Sequence, residues 1–312
     1  MQFVTADDIR RVLTFETLVA ALETGHRGAR LPVTAAIIGE GEAKYFVRSS
    51  GSRELAFGSK LITVFSENPA RGALPSVQAV FVLFDASDGH PRAVLDGTEI
   101  TYWKTAGDSA LGARQLARPD VRTLLMVGAG ALAPWLVRAH LAVRPSIERV
   151  LVWNRSPERG LAMVEQMAKE GVACEQASDL EAAARSADLI SCATMTRDPI
   201  IHGDWLRPGT HLDLVGGWTP EMREADDAAV RRARVFVDCR ESAFDGVGDI
   251  LMPIASGAMS EADVLADHYE LAAGAAGRTS SDDITLFKNA GGAHLDLMTA
   301  NAVLAAIEAS PT

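Results

Sequence analysis

Hydrophobic and polar residues follow two different patterns along the chain. Up to about residue 112, a helical period from Asp7 to about His26 precedes short apolar stretches that are typical of strands. These stretches are Lys44–Val47, Ala56–Val64, Val77–Phe84 and Arg92–Leu95. The residues between the last two, Asp85 to Gly89, have the composition of a hairpin turn. The pattern predicts a helix followed by strands of antiparallel character.

From about Ser109 onward, apolar strands alternate with helices, as in a doubly wound parallel sheet. The predicted strands are Thr123–Val127, Val150–Trp153, Leu189–Cys192, His211–Val215, Val235–Val237 and Thr285–Lys288. A helix over Ser109–Leu116 precedes this block. Another helix, from Leu295 to about Ile307, follows it and is expected to rejoin the first block. The fold class is therefore α/β.

A glycine-rich turn joins the first of these strands to a helix. The turn spans Gly128 to Ala133 and has the form Gly-x-Gly-x-x-Ala. Gly128 permits a tight turn, and Gly130 lets the backbone approach a pyrophosphate at the positive end of the helix. We therefore expect Gly128, Gly130, Ala131 and Leu132 to bind a dinucleotide.

The position after the second strand decides between the two nicotinamide cofactors. NAD-binding proteins of this class have an Asp or Glu there, which would repel a 2′-phosphate. This chain has Asn154 and Arg155, an amide and a guanidinium that can hold a phosphate. The sequence predicts NADPH, with NADH as an acceptable substitute, and places Ser156 and Arg159 beside the 2′-phosphate.

Strand ends further along the chain complete the predicted cofactor site. Thr194 and Met195 follow one strand and are expected on the adenosine side. Gly216 and Gly217 follow the next and leave room for the nicotinamide ribose, because ligands bind at the carboxyl ends of parallel strands.

Composition excludes several other functions. The 312 residues are enough for two domains, and a net charge of −11 argues against nucleic-acid or anionic-membrane partners. The three cysteines have no C-x-x-C spacing, and the histidines have no ligand spacing, so no metal site is predicted. The N-terminus contains acids where a signal peptide needs an apolar core. We expect a cytoplasmic protein.

Short motifs recur in one order along almost the whole chain. They are Gly58-Ser59-Lys60, Phe65-Ser66-Glu67-Asn68, Leu74 to Ala79, Leu95-Asp96-Gly97, Thr105 to Gly112, Leu116 to Pro119, and Leu286 to Gly291. In this order they resemble the ornithine cyclodeaminase and mu-crystallin family. The resemblance implies a Rossmann domain, residues 113–287, inserted in an α+β substrate and dimerisation domain, residues 1–112 and 288–312. It also implies a homodimer with its active site in the cleft between the domains.

The resemblance assigns further residues. Ser76, Thr105 and Asn289 are implied on the nicotinamide side, and Lys60 matches a family lysine that binds the substrate carboxylate. The family usually has an arginine before the Thr-Ala pair, whereas this chain has Lys104, which lacks the planar two-point grip of a guanidinium. Arg48 is a candidate for the missing cation, with an exposed edge-strand charge as the alternative. The proton donor is left open among Lys60, Lys104 and a bound water.

A second departure concerns the family's cyclodeaminases, which have an aspartate at the position of Trp218. Indole cannot act as a general base, so the sequence favours a reductase.

The chain looks most similar to bacterial enzymes that convert Δ1-pyrroline-2-carboxylate to proline, the final step of trans-3-hydroxyproline breakdown. These enzymes often also reduce Δ1-piperideine-2-carboxylate to pipecolate. A five- or six-membered cyclic imine and a linear one all stay open. The alternatives are an ornithine or lysine cyclodeaminase with bound NAD, and a mu-crystallin-like binding protein.

Overall fold

The computed structural model describes residues 1–39, 43–65, 67–68, 72 and 74–309. Ser66 of the second family motif lies outside the described residues. The chain divides into an outer unit, Met1–Thr105 with Gly291–Thr312, and an inserted unit, Ala106–Ala290. No helix in the described part of the chain has both the length and the apolar composition needed to span a bilayer.

The elements are numbered in chain order. The strands are β1 (Gln2–Val4), β2 (Val33–Ile38), β3 (Ala43–Ser52), β4 (Ala56–Phe65), β5 (Val77–Phe84), β6 (Pro91–Asp96), β7 (Thr123–Val127), β8 (Arg149–Trp153), β9 (Glu175–Gln176), β10 (Leu189–Cys192), β11 (His211–Leu214), β12 (Ala233–Val237), β13 (Val264–Ala266) and β14 (Ile284–Lys288). The helices are α1 (Ala6–Val12), α2 (Phe15–His26), α3 (Gly97–Leu116), α4 (Ala133–Val143), α5 (Pro157–Lys169), α6 (Leu180–Ser186), α7 (Asp227–Arg232), α8 (Arg240–Ala243), α9 (Gly248–Ala255), α10 (His268–Ala272) and α11 (Ala293–Ala309).

The outer unit is a six-stranded sheet with helices packed against it. The strand order is β1-β6-β5-β4-β3-β2, and every neighbouring pair is antiparallel except β1 with β6. Helix α11 packs on β3, β4, β5 and α2. Its residues from Ala293 to Ala300 are all buried, although they include His294 and Asp296.

Helix boundaries in the outer unit differ from those predicted. The helix predicted from Asp7 to His26 is two helices, because the Thr14 side chain accepts a hydrogen bond from the backbone N–H of Thr17 and starts α2. The helix predicted over Ser109–Leu116 begins earlier, at Gly97, and the division between the two compact units, after Thr105, falls within this helix. Strand β2 was not predicted, because its residues lack a clear alternation of polar and apolar side chains.

The inserted unit is an eight-stranded parallel sheet in the order β13-β12-β14-β11-β10-β7-β8-β9. The central strands β7, β10 and β11 are almost completely buried, and the continuous apolar sequence of Leu124–Val127 in β7 is typical of a strand covered on both faces. All the strands predicted for this block are present. The chain runs from β7 to β8 on one side and returns through β10 on the other, which makes the carboxyl ends of β7 and β10 the switch point where such sheets bind ligands.

Candidate functional site

A cavity of about 600 Å³ opens at the carboxyl ends of β7, β8, β10 and β11. We call it the strand-end pocket. It is lined by many of the residues predicted to bind a cofactor: Gly128, Gly130, Ala131, Leu132, Asn154, Arg155, Ser156, Arg159, Thr194, Met195 and Gly216. Trp153 and Trp218 also line it. Residues as far apart in the sequence as Gly128 and Trp218 are thus brought to one cavity within the inserted unit.

The glycine turn has the geometry that its sequence predicts. Gly128 has a φ of 104°, and a Cβ atom there would lie 2.6 Å from the carbonyl oxygen of Ala193. A Cβ atom on Gly130 would meet nothing within 4 Å, so the backbone faces open space. No side chain caps the N-terminus of α4. This turn leaves helix N–H groups available for an anion, which fits the pyrophosphate of a dinucleotide.

Asn154 is engaged within the protein. Its Oδ1 atom accepts a hydrogen bond from the backbone N–H of Ala129 at 3.1 Å, and its Nδ2 atom donates to the carbonyl of Ser156 at 2.9 Å. The amide therefore joins the glycine turn to the loop after β8. Arg155 and Arg159 are exposed, and neither forms a hydrogen bond or ion pair within the described chain. These two guanidinium groups are the cations that the pocket offers to an anionic ligand.

The ends of β10 and β11 approach each other closely. A Cβ atom on Gly216 would lie 1.8 Å from the carbonyl oxygen of Thr194, so only glycine fits. Gly217 does not line the pocket, and a Cβ atom there would lie 2.2 Å from Asp249 Oδ2. Asn289 does not line it either; its Nδ2 atom donates to Ser109 Oγ.

The outer unit brings three cations together. Arg48 on β3 is paired in register with Lys60 on β4, so both side chains lie on one face of the sheet. Lys60 Nζ donates to Asp296 Oδ1 at 2.7 Å and to Thr101 Oγ1 at 3.2 Å. Arg48 Nη1 donates to the carbonyl of Gly291 at 2.9 Å. We call Arg48, Lys60 and Lys104 the cation cluster.

Lys104 reaches the same place from α3. A Cβ atom on Gly291 would lie 2.8 Å from Lys104 Nζ, so the ammonium group sits against the backbone that Arg48 also contacts. Lys104 is only 3% exposed, and its ammonium group has no hydrogen-bond or ion-pair partner in the described part of the chain. A buried ammonium without an anion is unfavourable, so this position is complementary to a ligand carboxylate.

Burial and the neighbouring cations change the acidity of Lys60. Burial is the largest effect and, with repulsion from Lys104 and Arg48, it lowers the pKa of Lys60 to about 8, although attraction to Asp296 opposes the change. Asp296 Oδ2 is buried and has no hydrogen-bond partner among the described residues. Three cations and one carboxylate leave a net positive charge.

Asp296 was missed in the sequence, although an acid within the apolar stretch Leu295–Met298 was a usable signal. A charged residue on the fully buried face of a helix needs a charged partner.

Ser76 and Thr105, the other residues implied on the nicotinamide side, belong to the outer unit. The Ser76 carbonyl accepts a hydrogen bond from the backbone N–H of Phe65, and Thr105 is buried in α3.

Known proteins are similar to this chain in sequence and in fold. The family model "Ornithine cyclodeaminase/mu-crystallin family" matches residues 18–310. A Δ1-pyrroline-2-carboxylate reductase of Paracoccus denitrificans is 46% identical over 303 residues, which cover 96% of this chain and 95% of that protein. The ketimine reductase mu-crystallin of Mus musculus is 35% identical over 80% of this chain and 76% of its own length.

A solved structure of another relative has the same fold as this chain. The Δ1-pyrroline-2-carboxylate reductase of Thermococcus litoralis, in complex with NADH and L-proline, superposes with a TM-score of 0.90 at 30% identity, and the match covers 99% of this chain and 98% of that one. The family expected from the short motifs is thereby confirmed, as is the Rossmann fold. The chain belongs to the ornithine cyclodeaminase/mu-crystallin family.

Proposed function

We propose that this protein is an imine reductase that converts Δ1-pyrroline-2-carboxylate to L-proline with a nicotinamide cofactor. The observation that carries the proposal is the cation cluster, in which the buried ammonium group of Lys104 has no partner in the described chain. A substrate carboxylate is the complementary group. The 46% identical relative bears the name of this activity, and its alignment covers nearly the whole chain.

The strand-end pocket is the proposed cofactor site, and the bound dinucleotide supplies the hydride. Its glycine turn and the uncapped end of α4 suit a pyrophosphate. Arg155 and Arg159 suit a 2′-phosphate, which supports NADPH as the preferred form. The Thermococcus litoralis relative was solved with NADH, so NADH is proposed as a second, weaker cofactor.

The substrate carboxylate is proposed to bind Lys104 and Arg48, and Lys60 is proposed to protonate the imine nitrogen. A general acid works best when its pKa lies near the working pH, and the pKa of Lys60 is lowered to about 8. Asp296 Oδ1 lies 2.7 Å from Lys60 Nζ. Its negative charge raises the pKa of Lys60 against the effect of burial and so favours the protonated form that donates the proton. Protonation makes the ring carbon a better hydride acceptor, and positioning is then the protein's main contribution.

Trp218 supports the reductase over the cyclodeaminase. It lines the strand-end pocket with 56% of its surface exposed, at the position where the family's cyclodeaminases have an aspartate. Reduction of a preformed imine needs no base at this position, whereas removal of hydride from an amine followed by cyclisation does. Δ1-Piperideine-2-carboxylate is proposed as a second substrate, and the last step of trans-3-hydroxyproline breakdown as the metabolic context.

A homodimer is proposed through the outer unit. Ile38, Phe57, Phe65 and Val80 are each more than 40% exposed, and their register places them on the sheet face opposite Lys60. Exposed apolar side chains on one sheet face are typical of an interface. Light scattering on the purified protein measures the mass directly, and a monomer at micromolar concentration contradicts this part of the proposal.

One assay tests the function. NADPH oxidation is followed with Δ1-pyrroline-2-carboxylate, with Δ1-piperideine-2-carboxylate and without an imine, while ammonia release from ornithine is measured in parallel. We expect NADPH consumption that depends on the imine and yields proline. Ammonia release without NADPH consumption would instead identify a cyclodeaminase, and cofactor binding without turnover would identify a binding protein.

A further inference from the structure

Glu224 is a fully buried carboxylate that lies behind the strand-end pocket. One oxygen, Oε1, accepts hydrogen bonds from the backbone N–H of Thr194 at 2.6 Å and from its hydroxyl at 2.7 Å. The other, Oε2, accepts from the backbone N–H groups of Val215 at 3.1 Å and Gly216 at 2.7 Å. A single side chain thus joins the loop after β10 to the loop after β11.

Four donors converge on these two oxygens, and an ionised carboxylate can accept from all of them. An amide of the same shape has only one oxygen, so it would leave one of the two loops without an acceptor. The two loops are in close contact, since a Cβ atom on Gly216 would lie 1.8 Å from the carbonyl oxygen of Thr194. Thr194 and Gly216 both line the pocket.

The backbone of Glu224 is held by a buried ion pair between Asp249 and Lys288. Its backbone N–H donates to Asp249 Oδ1 at 2.7 Å, and Asp249 Oδ2 accepts from Lys288 Nζ at 2.9 Å. Lys288 ends β14, so the chain of contacts reaches from the loops after β10 and β11 to a third strand of the same sheet. All three charged groups are buried. Buried charges are retained only where partners compensate them.

We propose that Glu224 is a positioning residue that fixes the spacing of the loops after β10 and β11, and that this spacing sets the affinity of the strand-end pocket for the part of the dinucleotide common to NADH and NADPH. Arg155 lies in a different loop, the one after β8. A change at Glu224 therefore weakens both cofactors equally, whereas a change at Arg155 weakens only the phosphorylated one.

The protonation state of Glu224 gives a second readout. The groups that face it are Asp249 on α9, Lys288 on β14 and the thiol of Cys192 on β10. Burial and then Asp249 raise the pKa of Glu224 to about 7, and Lys288 opposes this. Burial also raises the pKa of Cys192 well above its usual value, so the thiol stays neutral. Ionisation of Glu224 above pH 7 supplies the full set of acceptors, so affinity rises with pH.

The test is cofactor binding without an imine, so its result does not depend on the proposed substrate. Dissociation constants of NADH and NADPH are measured at pH 8 by quenching of tryptophan fluorescence, since Trp153 and Trp218 line the pocket. We expect Glu224→Gln to weaken both cofactors by about tenfold. Glu221→Gln, which changes an exposed glutamate of the same loop, is the matched control and is expected to bind both within about twofold of the wild type.

A folded Glu224→Gln variant that binds both cofactors as the wild type does would overturn the proposal, as would a loss confined to NADPH. If the variant does not fold, the wild-type protein decides. Its dissociation constant for NADH, which lacks the titrating 2′-phosphate, is expected to fall severalfold between pH 6 and pH 8. A constant value over this range contradicts the proposed role of Glu224.

Discussion

The strand-end pocket of the inserted unit and the cation cluster of the outer unit are built in opposite ways. The pocket presents mainly backbone groups, small residues and exposed guanidinium groups. In the cation cluster, Lys60 and Lys104 are buried and Arg48 is partly buried, and the ion pair of Lys60 with Asp296 is almost inaccessible to solvent. Solvent and salt weaken the interactions of exposed charges, whereas the removal of one partner from a buried pair leaves the other charge uncompensated. Loss of either buried lysine, Lys60 or Lys104, should therefore have a larger effect than loss of an exposed arginine of the pocket, and the effect should be confined to the imine.

The largest effect is expected for Lys60→Met. It removes the proposed proton donor, so kcat/KM for the imine should fall by about 10³-fold. The dissociation constant of NADPH should stay within about twofold, because the pocket belongs to the other unit. Steady-state kinetics and fluorescence quenching measure the two quantities. Lys44→Met, at an exposed position on β3, is the control. Equal losses in both quantities would contradict the division of roles.

Lys104→Ala is expected to raise the KM for the imine by about 100-fold through loss of a charged hydrogen bond to the carboxylate. The KM for NADPH should change little. Lys104→Arg introduces the residue that the family usually has at this position and should recover most of the affinity. A similar increase in both Michaelis constants for the alanine variant would place Lys104 outside the substrate site.

Arg155→Ala tests the pocket by the opposite selectivity. We expect about 30-fold weaker binding of NADPH, because one charge-assisted hydrogen bond to the 2′-phosphate is lost. NADH binding should be unchanged, and Arg149→Ala, an exposed arginine on β8, should affect neither cofactor. Titrations with both cofactors give the ratio directly. A wild-type protein that binds NADH as tightly as NADPH would show that the predicted preference is wrong.

Asp296→Asn should have the smallest effect, and it should depend on pH. The carboxylate raises the pKa of Lys60 against the effect of burial, so its loss lowers that pKa below about 8. The protonated form is then lost at lower pH, and the alkaline limb of the kcat/KM profile moves toward neutrality. At pH 8 the rate should fall by about tenfold, and at pH 6 by much less. An unshifted limb would mean that Lys60 is not the group that titrates.

The two regions also differ in how well the sequence predicts them. The glycine turn, the strand before it and Asn154-Arg155 lie within one stretch, and the fold brings them together as expected. What the sequence does not show is that the amide of Asn154 binds Ala129 and Ser156, because hydrogen bonds depend on the conformation of the loop. The break before α2 and the early start of α3 were missed for a similar reason, since capping and tertiary packing override the hydrophobic period.

By itself, the sequence determined the local features of this protein: its parallel strands, the dinucleotide turn and the family. These depend on residue types and short spacings, which fix backbone conformation and burial. Only the tertiary structure decided the contacts between distant residues. It paired Arg48 with Lys60, placed Asp296 beside them and set Glu224 across two strand ends. Such pairs arise from strand register and helix packing, and no sequence spacing encodes them.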